Sequence, residues 1–491
     1  MTAVPILVPL AAALVTFLLR RASAAIGLVA SLGSAAASIV VAVGVATTGP
    51  AVHDLGGWGA PLGIALRVDG LAAVMLLMSA TVAVPVFLYA ATYYDSEGEH
   101  AETGEVFWPL ALLLLGSLNG LFLSGDAFNV YVALELMTIA AVALVVLEDD
   151  DAALTAAMRY LLAAFVGSML YLLGVALLYA AYGVLDLEVL AGALRPEPAA
   201  FLAAALIAAA LGLKSALFPM HFWLPRAHAS APAPVSALLS SLVVTGSFYV
   251  FLRLWTTVFA SIAAPAAGQL VGVLGAGAII WGSLQALRQQ HLKVMIAYST
   301  VAQVGYLFLL IPLVTAALAT PEGIAGWGAT AWSGGVYHAV THALAKSAMF
   351  LSAGVLVAAI GSDRIVGISG IARELPIATY AFGIAGMTLI GLPPSGGFVA
   401  KWLLLSAALQ SGQWWWAVVM LVGGVLTAGY VFLVLGQELS LAGSDHEVEL
   451  RPVSKRMEYA AFLLAVAALV LGVRVAEPLA LLQIGAPFGG P

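Results

Sequence analysis

"LGLKSALFPMHFWLPRAH", residues 211–228, decides how this chain is read. It follows an unbroken apolar run from Ala199 to Ala210, yet it holds Lys214, His221 and His228, with Pro219 and Pro225 among them. An ionisable group at the centre of a bilayer costs at least about 2.5–3.5 kcal/mol on insertion scales. Pro219 has no N–H, so the carbonyl of Ser215, beside Lys214, loses its helical partner. Unwound backbone at membrane depth survives only when buried in protein or lining a wet cavity. The stretch therefore predicts a break that leaves free backbone groups and water around a buried lysine.

The rest of the chain agrees with a membrane setting. Its 491 residues are 63% hydrophobic and 9% charged, against about a quarter charged in soluble proteins. Mean hydropathy is +1.07. Apolar spans fall near 3–19, 24–48, 70–93, 106–124, 127–147, 153–182, 199–221, 232–257, 268–287, 294–316, 328–360, 378–405, 414–438 and 457–475. This pattern predicts an all-α polytopic membrane protein of about 14 transmembrane helices. The segment "VHDLGGWGAPLGIALRVDG" is too polar and Gly-rich to span, and predicts a short hairpin on the membrane surface. The first apolar run precedes Arg20 and Arg21, whereas a signal peptide carries its positive charge ahead of that run, so it reads as a retained helix.

Loop charge sets orientation. Arg20, Arg21, Arg226, Arg288, Lys293, Arg364, Arg373, Arg451, Lys455 and Arg456 fall in odd-numbered loops, against Arg67, Arg195 and Arg253 in even ones. The bias puts the odd loops in the cytoplasm and both termini outside, in a multi-pass protein of the cell membrane. Lys293 is expected at the cytoplasmic edge, its ammonium snorkelling to water. No loop is long enough to fold separately.

Composition also excludes functions. The chain has no cysteine, which rules out disulfides, thiolate metal sites and iron–sulfur clusters within it. No GxGxxG turn or P-loop sits between a strand and a helix, so nucleotide binding has no support. The net charge of −7, drawn mostly from loops such as "YYDSEGEHAETGE" and "LEDDDAA", gives no reason to expect nucleic-acid binding. We expect no cofactor and no resident metal.

The remaining intramembrane ionisable residues are Glu135, with Asp126 at the start of its helix, then Lys214, then His338, His342 and Lys346, and finally Lys401. His338, His342 and Lys346 recur at i, i+4 and i+8, one polar stripe roughly 12 Å long on a helix. Stacked protonatable groups read as stepping stones for protons, and the plainer alternative is polar glue between helices. The HxxxH spacing would also fit zinc, but no third ligand is near. A second break, "GLPPSGGFVAKW", precedes Lys401 as the first accompanies Lys214. Two interrupted helices in comparable places point to a transporter with inverted repeats. The chain then divides into helices one to three (1–105), a first repeat of helices four to eight (106–257), a second of helices nine to thirteen (258–440), and a C-terminal loop with helix fourteen (441–491). His221, His228 and Thr245 are accessory candidates, and His228 either gates a half-channel or caps the helix beginning near Pro232.

The motifs "GDAFNVYVALELM", "LKSALFPMHFWLPRAHASAPAPVSALLS", "HLKVMIAYSTVAQVGYL", "YHAVTHALAKSAMFLSAG" and "GLPPSGGFVAKW" resemble the antiporter-like membrane subunits. Respiratory complex I, membrane-bound hydrogenases and Mrp multisubunit cation/proton antiporters share these subunits. "GGWGAPLGIALRVDGLAAVMLL" is most similar to the D-type Mrp subunit. The resemblance implies an ion pair of Glu135 with Lys214, a central relay including the eleventh-helix stripe, and Lys401 as the end of the path. It also places a helix-eight lysine or histidine where this chain has Thr245, which does not titrate.

The function expected is a proton-conducting subunit of a multisubunit monovalent cation/proton antiporter. Its partners would be other membrane subunits, protons, Na+ or K+ and the lipid bilayer. The alternatives are a pumping subunit of a complex-I-like NADH-quinone oxidoreductase or hydrogenase, a proton-flux partner for another uptake protein, and a non-conducting scaffold. The chain has no redox centre of its own, so any oxidoreductase activity would belong to a complex.

Overall fold

The computed structural model describes residues 1–60, 63–94, 101–148, 150–440 and 450–488. The acidic stretch 95–100 and the loop 441–449 lie outside the described residues. The chain opens with α1 (Val4–Leu18) and α2 (Ser23–Thr48), then β1 (Ala51–Asp54) and β2 (Ala65–Val68). α3 (Gly70–Tyr93), α4 (Ala101–Leu123), α5 (Ala127–Val145), α6 (Asp151–Tyr182), α7 (Leu187–Ala193), α8 (Pro198–Lys214) and α9 (Leu224–Ser230) follow. α10 (Ala233–Leu238) runs through a π-helical turn, Leu239–Val243, into α11 (Val244–Thr256). The second half holds α12 (Pro265–Leu287), α13 (Leu292–Phe308), α14 (Leu310–Leu318), α15 (Pro321–Ala325), α16 (Trp327–Ile360), α17 (Pro376–Ile390), α18 (Gly396–Gln410), α19 (Trp414–Glu438), α20 (Lys455–Val473) and α21 (Ala476–Gln483).

The protein is an all-α polytopic membrane protein. Among the described residues, 11 helices are long and apolar enough to cross a membrane, and α1, α8 and α17 are shorter apolar helices. The breaks expected inside the apolar runs 199–221 and 378–405 are both present. The structure ends α8 at Lys214 and α17 at Ile390 and restarts the chain at α9 and α18. The short helices α7 and α21 carry no transmembrane hydropathy signal. The hairpin foreseen before α3 is present as β1 paired antiparallel with β2, from Ala51 opposite Val68 to Asp54 opposite Ala65.

Acidic loop residues have a local purpose. Asp69, Asp126, Asp150 and Asp186 each stand at an N-cap, where the carboxylate accepts from the first free amides of α3, α5, α6 and α7. Most of the long helices carry little amphipathic pattern, so burial distinguishes their faces. α16 is the centre, packed by α3, α10, α13, α14, α17, α18 and α20. α12 and α13 approach closely because Gly305 faces the Gly275 carbonyl, and a Cβ there would lie 2.4 Å from that oxygen.

One charge is not where the loop count put it. Arg253 lies inside α11, buried, with its guanidinium forked onto Asp69 at 2.5 and 2.8 Å. Tyr249 Oη accepts from Arg253 Nε at 3.3 Å and donates to the Phe122 carbonyl at 2.6 Å. Burial works to raise the Asp69 carboxyl, but the Arg253 guanidinium outweighs it and holds that carboxyl below the usual carboxylate range. This clamp ties the start of α3 to the end of α11.

Candidate functional site

The first cluster forms where α5, α6 and α8 meet. Lys214, 5% exposed, sits in the last turn of α8 and places Nζ 3.3 Å from Glu135 Oε1 on α5. The ammonium also donates to Thr138 Oγ1 at 3.0 Å, and Ser168 Oγ on α6 donates to Glu135 Oε1. Gly167 makes room on α6: a Cβ there would stand 3.2 Å from Lys214 Cγ. Glu135 is less enclosed, its side chain 25% exposed.

The break beside Lys214 is present, and two carbonyls at its edge are taken up by protein. Trp223 Nε1 donates to the Leu213 carbonyl at 3.0 Å, and Leu217 N to the Gly212 carbonyl at 2.8 Å. The Trp223 indole is fixed by stacking on Tyr160, centroids 4.2 Å apart. Ala216 takes a left-handed φ of 54°, which a non-glycine residue adopts only at a cost.

The second cluster surrounds α16. His338, His342 and Lys346 are all essentially without exposure. Neither ring nitrogen of either histidine has a hydrogen-bond partner among the described residues, and the two rings lie 6.2 Å apart. The Ser240 carbonyl, at the π-helical turn, faces His342 outside hydrogen-bond geometry. Freed backbone at a π turn is a frequent companion of functional sites. Lys346 Nζ donates to the Ile296 carbonyl at 3.1 Å and to Ser299 Oγ, both on α13.

Lys401 completes this cluster from α18. Its Nζ reaches back to the C-terminus of α17, donating to the Leu389 carbonyl at 2.7 Å and meeting that of Ile390 at 3.4 Å. The same ammonium lies 3.9 Å above the Tyr306 ring, and Tyr306 is 5.5 Å from His338. Lys401, Tyr306, His338, His342 and Lys346 thus form one contiguous file.

The accessory candidates separate. His228 is fully buried, stacked on Phe350 at 5.6 Å, with neither ring nitrogen bonded. It does not cap the next helix: Pro232 at that N-cap receives no side-chain bond, and only the backbone carbonyl of His228 is used, by Ser236 Oγ at 2.8 Å. His228 lies within electrostatic reach of Lys346 and Lys293. His221 stacks on Phe218 at the edge of the break and is partly exposed. Asp126 is the N-cap of α5, bonded to the amides of Phe128 and Asn129, about 13 Å from Glu135 along the helix. Thr245 is fully buried and its hydroxyl has no partner among the described residues. Lys293 does not snorkel; its Nζ donates to the Ala231 carbonyl at 2.5 Å, at the junction of α9 and α10. Among the described residues no three His, Asp or Glu side chains gather as metal ligands would.

The family model described as "NADH:quinone oxidoreductase/Mrp antiporter, TM" matches residues 124–427, which contain both clusters. The chain belongs to this family. It is 36% identical over 437 residues to the N-type subunit of the NADH-quinone oxidoreductase of Desulforudis audaxviator (strain MP104C), covering 87% of this chain and 84% of that one. It is 28% identical over 487 residues to the D-type subunit of the Na(+)/H(+) antiporter of Bacillus subtilis (strain 168), covering 96% and 93%. Among solved structures, a chain of the Mrp complex from Dietzia sp. DQ12-45-1b superimposes with a TM-score of 0.87 over 98% of this chain and 95% of that one, at 24% identity. A chain of the membrane-bound sulfane sulfur reductase, an archaeal respiratory membrane complex, gives 0.86 over 99% and 96% at 27% identity.

Several residues of this family member were not visible as site candidates in the sequence. Ser168, Thr138, Ser299 and Tyr306 are uncharged, and only three-dimensional contact shows that they hold the lysines and the carboxylate. Glu438, at the end of α19, is fully buried with neither carboxylate oxygen bonded among the described residues. Its position at a span boundary disguised it as a loop acid.

Proposed function

We propose that this chain is the proton-conducting subunit of a multisubunit monovalent cation/proton antiporter, passing protons along Glu135, Lys214, His338, His342, Lys346 and Lys401. The observation that carries this reading is the enclosed file from Lys346 through His342, His338 and Tyr306 to Lys401, inside a bundle that also holds the buried Lys214 against the half-buried Glu135. Buried imidazoles without a hydrogen-bond partner among the described residues, and buried ammonium groups without a counter-ion, are costly to keep, and proton transfer is a chemistry that uses such groups. Lys214 gains or loses its bond to Glu135 as protons arrive, and the eleventh-helix stripe passes charge towards Lys401. His228 belongs to this reading as a bridge towards Lys346, while Thr245, where the resemblance places a lysine or histidine, does not exchange protons.

The proposal includes the topology. The breaks at α8–α9 and α17–α18 mark helices seven and twelve of two inverted repeats, 106–257 and 258–440, within fourteen crossings. Both termini lie outside the cytoplasm. The exposed quarter of Glu135 faces a neighbouring membrane subunit.

A pumping subunit of a complex-I-like oxidoreductase is the second reading, favoured by the 36% identity to a quinone-oxidoreductase relative. Purification of the intact complex, followed by proton flux in vesicles, separates the two. Flux driven by Na+ or K+ gradients with small membrane partners supports the antiporter. Flux that requires a reductant and iron–sulfur partners replaces it with the pump. Absence of proton flux in either setting leaves a scaffold.

A further inference from the structure

We infer that the face formed by α1 and α2 is a binding site for an anionic phospholipid, its phosphate in a polar pocket and one acyl chain in the apolar groove that leads from it. The pocket, about 600 Å³, lies among Arg20, Arg21, Ser23, Tyr94, Glu105 and Trp108, where the turn after α1 meets the end of α3 and the beginning of α4. The groove, about 530 Å³, runs between Val8, Ala12 and Val15 of α1 and Ala25, Val29 and Gly33 of α2. Ala25 lines both cavities, so they adjoin.

Each part matches one part of the lipid. Arg21 has no ion-pair or hydrogen-bond partner among the described residues; Arg20, largely exposed, makes a long contact, 3.7 Å, to the half-exposed Glu105 and lies 6.0 Å from the Phe17 ring. Such a pair exchanges readily for a phosphate. The 3-10 turn Arg20–Ala22 runs directly into α2, so the positive end of the helix dipole lies at the pocket. Tyr94 is 4% exposed, and its hydroxyl has no partner among the described residues. A cavity lined by Tyr94 and by two loosely held guanidiniums suits an acceptor-rich ligand. The groove asks for the opposite chemistry. It contains no charged residue, and along α2 its residues 25, 29 and 33 recur every four positions, one face descending about 12 Å into the hydrocarbon. Gly33 keeps the floor low, with only Val8 Cγ1 within 4 Å of a Cβ built there. A polar, cationic mouth over a long apolar trough fits an amphiphile better than a helix of a neighbouring protein, which would have to fill both.

The test is native mass spectrometry of the full chain in its purified complex, titrated with phosphatidylglycerol and, in parallel, phosphatidylcholine of the same chains. Replacing both arginines, Arg20→Gln with Arg21→Gln, is expected to weaken phosphatidylglycerol retention by roughly twenty- to thirtyfold while sparing phosphatidylcholine, since each basic residue near an anionic headgroup contributes about fivefold. Ala25→Phe, at an exposed position, is expected to weaken both lipids. Unchanged retention in both variants overturns the proposal. So does displacement of the lipid by glycerol phosphate alone, which would make the pocket a site for free phosphate. Loss of another protein from the complex with Ala25→Phe, at unchanged lipid retention, would assign the groove to that protein instead.

Discussion

The two lysines at the two helix breaks are held by different means. Lys214 ends α8 and is met by the Glu135 carboxylate and the Thr138 hydroxyl; Ser168 bonds that carboxylate, and Trp223 takes up the Leu213 carbonyl beside the break. Lys401 follows its break and itself occupies the freed carbonyls of Leu389 and Ile390, with the face of Tyr306 beneath it. One site balances a fixed charge with a fixed charge; the other balances it with dipoles, a helix C-terminus and a ring quadrupole. The same residue type at the same kind of interruption therefore has a carboxylate partner in the first place and an uncharged cradle in the second. This suits a pair that responds to its surroundings at Lys214 and a terminal exchange point at Lys401.

The difference gives a sharp mutational signature. Glu135→Gln should abolish proton flux and also destabilise the protein by about 3–5 kcal/mol, because it leaves Lys214 buried without its counter-charge. Adding Lys214→Met should restore thermal stability but not flux. Lys401→Met should likewise abolish flux, yet change stability by no more than about 2 kcal/mol, since no ion is orphaned. Melting temperatures and dye-reported proton flux on the four proteins check the contrast. Equal stability losses at the two lysines would erase the distinction drawn here.

A control for structure alone is the Asp69–Arg253 clamp, which is buried but belongs to neither cluster. Asp69→Asn should cost about 3–5 kcal/mol and leave flux per folded molecule unchanged. The Asp69 carboxyl is held below its usual range, so its contribution is complete above about pH 4 and fades as pH falls further. Stability curves of wild type and variant should therefore converge only in strong acid. Smaller still is Gly391→Ala. Gly391 has φ 89°, and a Cβ there would lie 2.8 Å from Lys401 Cδ. The substitution should cost about 1–2 kcal/mol and reduce flux by displacing Lys401 from the α17 carbonyls. The smallest effect is expected at Thr245→Val, which removes an unbonded hydroxyl: stability should rise by up to about 1 kcal/mol with flux intact. Loss of flux there would make Thr245 a working member of the path.

The sequence made charge in the membrane legible because each such residue stands out against an apolar background. Glu135, Lys214, His338, His342, Lys346 and Lys401 were all named from that contrast, and both breaks from their prolines and glycines. What it hid was anything whose meaning depends on distance. Tyr306 reads as one aromatic among many until it lies between Lys401 and His338. Arg253 was counted as a loop residue because hydropathy blurs helix ends by several positions, and its partner Asp69 lies 184 residues away. Lys293 was placed at the cytoplasmic edge for the same reason, yet its ammonium bonds the Ala231 carbonyl, and Ala231 is fully buried. α8 was drawn too long because its run of alanines and leucines carries no stop signal ahead of Pro219.

Lys346 is the residue on which the second cluster turns, since it closes the file from Lys401 and stands within reach of His228. The decisive measurement is proton flux through vesicles reconstituted with the intact complex carrying Lys346→Met, which keeps the volume and removes the charge. The account predicts a folded, assembled complex without flux. Wild-type flux from that complex would contradict it.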